Sequence, residues 1–388
     1  MIHLSHTPRP PPADLLSTPG AFAWWYADVV TPAGDGAVLI WSYGLPFLPG
    51  NASAARAGQP QVPRERPSVN LVLYRAGRPV LYLLHEYSAG EADGRVEGEQ
   101  RMGGCTFRSV AGAAGAMLEA VLDLPLPGTA ERVTGVVRVD PHPSRLGSPP
   151  SRTSGRGEVG MGVGGDGGDL TGGEAHVWTP LIVPGAGSVE VRVGRREWMS
   201  VAGRGYHDRN HGRVPLGGLG IQWWAWGRVP FADREAVYYL LWPADGGAPT
   251  ALGLEMHGSG EVRELVPEVA MEGAMRGIAG MRSPRRVRLS VDGRPWLDVR
   301  HTRIADDGPF YLRLLSEGTA ADGETAVGWS EVCRPDRVDL AVHRPLVRMR
   351  VQRSVGRNSL WLPLFSGPRE GRIRRLFVQA LRRGGGGG

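Results

Sequence analysis

Lysine is absent: all 45 basic residues are arginine. A Walker A loop, whose lysine reaches the phosphates, is therefore excluded. So is any lysine Schiff base, pyridoxal phosphate linkage included. Cysteine is scarce. Cys105 and Cys333 stand far apart, which makes neither a disulfide framework nor a zinc pattern. Reduced, structural thiols in a cytoplasmic protein are the expectation. No apolar run approaches the roughly 20 residues that span a bilayer. The start, Met1-Ile-His-Leu-Ser-His, has no basic segment leading into an apolar one, so no signal peptide is expected. A G-x-S-x-G nucleophile elbow is missing as well. The formal charge of +6 over 388 residues is modest and its arginines are scattered. That argues against nucleic acid and leaves attraction to an anionic membrane surface open.

Glycine (58) and proline (32) are abundant, which favours turn-rich β structure over helical bundles. The length exceeds one typical core and predicts two domains. Residues 1–20 read as a Pro-rich arm. Residues 21–215 carry closely spaced strand patterns and predict an N-terminal β domain. Within them, 143–173 is a Gly-rich segment, predicted to be a disordered insertion. Its Gly162-Val-Gly164-Gly-Asp-Gly167 has the form G-x-G-x-x-G, but no strand precedes it and no helix follows. Residues 216–366 predict a second β domain. Its opening, Trp223-Trp224-Ala-Trp226-Gly-Arg228, echoes Trp24-Trp25-Tyr26-Ala-Asp28. Val338–Val351 reads as a late strand. Residues 367–388 predict a basic amphipathic helix with Ile373, Leu376, Phe377, Ala380 and Leu381 on one face, then a glycine tail. Such a helix suits either a membrane surface or docking on the body.

One stretch concentrates chemistry: Gly205-Tyr206-His207-Asp208-Arg209-Asn210-His211-Gly212. The glycines permit a sharp turn or close backbone approach. If the stretch is a strand, Tyr206 and Asp208 share one face and His207 takes the other. His176 and Trp178 form a second pair at i and i+2. Three readings stand. His207 and His211 with Asp208 are metal-ligand types, though their spacing needs a helix the glycines oppose. Asp208 and Asn210 are turn-capping types. Asp208 with Tyr206 and His176 is a general acid/base set. Trp25, Trp224 and Trp226 belong to an aromatic wealth that suits a core or a cavity for a large apolar ligand.

Several of these stretches occur together in one known family. Trp24-Trp25-Tyr26-x-Asp28, Asn70-Leu-Val-Leu-Tyr74, His176-x-Trp178, Gly203-x-Gly205-Tyr206-x-Asp208-x-Asn210-x-Gly212, Trp224-x-Trp226-Gly-Arg228 and Gly308-Pro-Phe-Tyr311 follow in order. In this the chain resembles the carotenoid 1,2-hydratase (hydroxyneurosporene synthase) family, within a wider group of two-domain lipocalin-like proteins. It departs in its Gly-rich insertion and in His211. The resemblance implies an all-β fold of two tandem lipocalin-like antiparallel β-barrel domains with a short C-terminal helix. It implies hydration of the terminal 1,2 double bond of an acyclic carotenoid or other long apolar polyene. Water is the co-substrate, and neither cofactor nor metal is needed. It implies catalytic roles for His176, Trp178, Tyr206 and Asp208. Asp208 is then the expected acid, Trp178 the cation stabiliser, and His176 and Tyr206 the groups that position water and accept its proton. Trp25, Trp224, Trp226 and Asn210 are the expected substrate-binding residues. The expected location is cytoplasmic, with peripheral contact at the inner face of the membrane. The wider group leaves open an isomerase or cyclase of a polyene or terpenoid, or a non-catalytic lipid or carotenoid carrier.

Overall fold

Runs of alternating bulky side chains build strands because each strand turns successive residues to opposite faces. A computed structural model describes residues 2–112, 115–142 and 176–377. The predicted insertion and the end of the predicted tail helix lie outside the described residues. The fold is mostly β, in two large antiparallel sheets. The first contains β1 (Phe22–Val30), β2 (Gly36–Tyr43), β3 (Pro67–Arg75), β4 (Arg78–Glu86), β5 (Cys105–Gly112), β6 (Gly115–Pro125), β7 (Arg132–Pro141), β8 (Val177–Val193) and β9 (Arg196–Gly212). Its spatial order is β4-β3-β2-β1-β9-β8-β7-β6-β5. The second contains β10 (Ile221–Pro230), β11 (Arg234–Pro243), β12 (Thr250–His257), β13 (Arg286–Val291), β14 (Arg294–Asp307), β15 (Tyr311–Ala320) and β16 (Thr325–Cys333), in the order β12-β11-β10-β16-β15-β14-β13.

Alternation along β1 and β10 creates three apolar clusters rather than two. Ala23, Trp25, Ala27 and Val29 point into the first sheet's own interior. Ala225 and Val229 point into the second's, with Tyr238, Leu240 and Val299. The opposite faces of the same strands, carrying Trp24, Tyr26, Trp224 and Trp226, meet in a third cluster between the sheets. Beyond Tyr26 and Trp226 this seam is fastened by charge. Arg228 donates from Nε to both Asp28 carboxylate oxygens at 3.0 Å and from Nη1 to Glu235 Oε1 at 2.6 Å. All three side chains are fully buried.

The chain ends hold the seam from outside. The predicted arm is not free: His3–Leu4 pairs in parallel with the start of β8, and Leu15 and Leu16 are buried. Val338–Val351 is not a strand. It holds a short helix, Arg344–Arg348, with Pro345 in its first turn. Val351–Arg353 and Gly367–Pro368 then return to pair with β4, so the end of the chain straps the second sheet to the first.

Candidate active site

Strand β9 runs straight through the polar stretch. Gly205 makes no turn. Strand β8 presses so close that a Cβ on Gly205 would sit 2.6 Å from the Ala186 carbonyl oxygen. Register then aligns the site. Asp208 lies opposite Tyr26, Asn210 opposite Trp24 and Trp178, and Tyr206 opposite Asp28. All of these side chains share the seam face. His207 takes the other face, against Phe107, with Nδ1 2.8 Å from the Tyr26 carbonyl oxygen. Among the described residues no three metal-ligating side chains come together.

Asp208 is the hub. Its Oδ2 accepts from Tyr206 Oη and Trp178 Nε1, each at 2.8 Å. Its Oδ1 accepts from Asn210 Nδ2 at 3.1 Å. Burial pushes the carboxyl up to about 7; the Trp178 and Tyr206 hydrogen bonds oppose this, while the Glu331 and Asp28 charges add to it. At neutral pH such a group holds a substantial protonated fraction, unlike an ordinary aspartate. The Tyr206 hydroxyl is driven well above its usual range by burial and the Asp208 charge.

Asp208 opens on a cavity of about 130 Å³ in the seam. The first sheet contributes Trp24, Tyr26, Trp178, Asp208 and Asn210; the second contributes Trp224, Trp226, Tyr239, Arg313 and Glu331. Trp226 sits 5.5 Å from the rings of both Tyr26 and Tyr206. Phe47 and Phe310, both half-buried, stack at 5.9 Å on its wall.

Two expectations need correction. Trp25 does not line the cavity. It points into the first sheet's interior, near Tyr43 and Phe107, because its neighbours Trp24 and Tyr26 take the seam face. His176 is not on the strand but on the bend before β8, boxed by Phe22 and Trp24 and outside the cavity wall. Its Nε2 lies 3.0 Å from Asn210 Oδ1, and burial pushes its pKa down to about 3. That placement sets His176 against Asn210 rather than against the cavity.

Tyr26, Tyr239, Arg313 and Glu331 belong to the site and escape the sequence reading. A signal existed for the last two. Glu331 alternates with Trp329 and Cys333, and Arg313 with Tyr311 and Leu315, so each is a charge on an apolar face.

A family model described as carotenoid hydratase CrtC matches residues 137–359, more than half of the chain. The chain belongs to the carotenoid hydratase CrtC family. Membership makes it a hydratase, an enzyme of the hydro-lyase class. The acyclic carotenoid 1,2-hydratase of Thiocapsa roseopersicina is 28% identical over 90% of this chain and 77% of its own. That of Cereibacter sphaeroides is 30% identical over 47% of this chain and 60% of its own. A Chlorobaculum tepidum relative named hydroxyneurosporene dehydrogenase is 25% identical over 89% of this chain and 91% of its own. Solved structures share the fold. An AttH-type protein of Nitrosomonas europaea superposes with a TM-score of 0.55 at 15% identity, covering 80% of this chain and 92% of its own. CghA bound to Sch210972 gives 0.51 at 16%, covering 85% and 95%. The lipocalin-like architecture expected of a carotenoid hydratase is therefore present, with a cavity between the sheets.

The position of Asp208 predicts a pH limb. A raised carboxyl is protonated below about 7 and ionised above it. If the acid form reacts, the rate should level off below pH 7 and fall about tenfold per unit well above it. A rate that rises through this range would assign Asp208 the opposite role.

Proposed function

We propose that this carotenoid hydratase adds water across the terminal C1=C2 bond of an acyclic carotenoid of the neurosporene or lycopene type. The observation that carries the reading is a fully buried carboxyl, poised near neutrality, facing an aromatic-walled cavity. An isolated alkene is a weak base, so its protonation needs a strong acid held away from water. The Asp208 proton passes to C2, the π pair forms the C2–H bond, and a tertiary cation remains at C1. The faces of Trp226, Trp178 and Tyr26 stabilise it. A water oxygen then bonds C1 and gives up one proton. Atoms and electrons balance without a redox group, so no cofactor or metal is required. The cavity holds a chain end rather than a whole polyene, and the rest of the chain extends past its rim.

The test is purified, chelator-treated protein with lycopene in vesicles, followed by mass analysis of the pigment. A gain of one water per reacted end supports the reading. Unchanged mass with a shifted spectrum points to an isomerase or cyclase, and an unaltered ligand to a carrier.

A long polyene resides in a bilayer, and the protein offers a face for one. No helix among the described residues is long and apolar enough to cross a membrane. Next to the chamber, Val347 of the short helix lines the cavity while Leu346 faces out. The strap beyond it exposes Val355 and Trp361 at 64% and 50% among Arg348, Arg353 and Arg357. Residues 372–377 are helical and turn Arg375 inward, leaving Ile373 and Phe377 exposed. Apolar side chains ringed by arginine suit an anionic membrane surface. Val355→Ser with Trp361→Ser should weaken co-sedimentation with anionic vesicles at least a hundredfold, at about 1.5–3 kcal/mol per buried apolar side chain. Equal binding by the variant and the parent would remove this face from the proposal.

A further inference from the structure

The water that captures the cation needs a base, and neither His176 nor Tyr206 is placed to be one. His176 lies outside the cavity wall, and Tyr206 spends its hydroxyl proton on Asp208. The opposite wall holds a second carboxylate. Glu331, on β16, lies opposite Trp226 and Arg313 in register and lines the same cavity as Asp208. Arg313 donates to Glu331 Oε1 from Nε at 3.1 Å and from Nη2 at 2.6 Å. Both bonds fall on one oxygen. Oε2 has no hydrogen-bond partner among the described residues, so half of the carboxylate is left for the cavity. The Arg313 side chain is only 2% exposed and lies directly against the Glu331 carboxylate.

A second observation points to the same spot. The Tyr26 hydroxyl is buried and has no hydrogen-bond partner among the described residues. Tyr26 also lines the cavity, and Arg313 lies over its ring at 5.6 Å. A buried hydroxyl without a partner is costly unless water or ligand completes it. Arg313 therefore links the Glu331 carboxylate on the second sheet to Tyr26, which stands beside Asp208 on the first.

We propose that Tyr26 Oη and Glu331 Oε2 hold the attacking water, and that Glu331 is the catalytic base that takes its proton. The inference rests on the hydration reading and adds the second half of it. The water lone pair forms the C1–O bond, and one water O–H bond breaks toward Glu331 Oε2. Glu331 then returns that proton to solvent, from which Asp208 is reprotonated. Three carboxyls line the cavity: Asp208, buried against aromatic groups on the first sheet, and on the second Glu331, paired with Arg313, and Asp306, paired with Arg350.

The test separates the two half-reactions in D2O with lycopene in vesicles. Asp208 alone suffices to deliver a deuteron to C2 and take a proton back, so the C2 hydrogen of recovered substrate exchanges. Glu331→Gln keeps the shape and accepts from Arg313, but cannot take a proton. Hydration should fall at least a hundredfold while C2 exchange persists. Hydration near the parent rate overturns the proposal. So does loss of both reactions with carotenoid binding intact, which would place Glu331 in support of Asp208. If Glu331→Gln does not fold, Glu331→Asp decides, because it keeps the charge but withdraws it by one methylene. At least tenfold slower hydration with exchange retained supports the base, and unchanged hydration overturns it. A parent protein that does not hydrate lycopene condemns the function itself rather than this assignment.

Discussion

Asp208→Asn should abolish hydration while leaving the fold and carotenoid binding intact. The substitution keeps the size of the side chain and an acceptor for the Trp178 and Tyr206 donors, each 2.8 Å away. It removes the one proton in the first sheet's wall poised near neutrality. General acid catalysis typically contributes about 10²–10⁴-fold. The loss should reach at least that range, because water protonates an alkene very poorly. C2 exchange in D2O should vanish together with hydration, which distinguishes this variant from Glu331→Gln. His207→Ala, on the opposite face of the same strand, should leave the rate within a few-fold. An Asp208→Asn protein that binds and hydrates lycopene at the parent rate would return Asp208 to a purely structural part in the hydrogen-bond network.

Arg228→Met should cost more stability than any substitution in the cavity wall. Arg228 answers two carboxylates at once, Asp28 across the seam and Glu235 on the neighbouring strand, with all three side chains fully buried. Methionine fills much of the volume and leaves both acids without a counter-charge. Breaking a buried pair by removing one partner costs about 3–5 kcal/mol. For a protein of this size that corresponds to a fall in Tm of roughly 4–6 °C. Arg228→Lys should recover only part of it. A lysine has neither the Nε–H nor the planar fork that faces the Asp28 carboxylate. Replacing Asp28, Arg228 and Glu235 together by apolar residues should restore most of the Tm, because no bare charge remains. A melt within 2 °C of the parent for Arg228→Met would mean that water reaches the triad.

What could be read ahead of the structure depended on how far apart the interacting residues lie. Tyr206, His207 and Asp208 sorted correctly onto two faces because alternation is a local rule. Trp24 and Trp25 did not. Either of two adjacent tryptophans fits an apolar interior, and only the pairing of β1 with β9 decides which one meets Asp208. His176 and Trp178 looked like strand neighbours, but the strand starts one residue late, and Phe22 and Trp24 box His176 outside the cavity wall. Glu331 and Arg313 come to the site from a sheet whose register against the first no local pattern encodes. The echo between Trp24-Trp25-Tyr26-Ala-Asp28 and Trp224-Ala-Trp226-Gly-Arg228 read as a sign of two like domains. The structure adds its physical content: the two stretches face each other, and their last members carry opposite charge.

That opposite charge bears on what shape of molecule can be admitted. Trp24 and Tyr26 on one strand and Trp224 and Trp226 on the other line the chamber, and Asp28 with Arg228 closes it just beyond them. On the outside, Val351–Arg353 and Gly367–Pro368 stitch the far end of the chain to β4. A pocket fastened in both places cannot gape like a clamshell to swallow a bulky guest. On the hydration reading, its guest should enter end-on, as a thread enters the eye of a needle. On the same reading, a slender acyclic terminus should pass such a gauge, whereas a terminus already closed into a ring should be stopped at the rim by its girth.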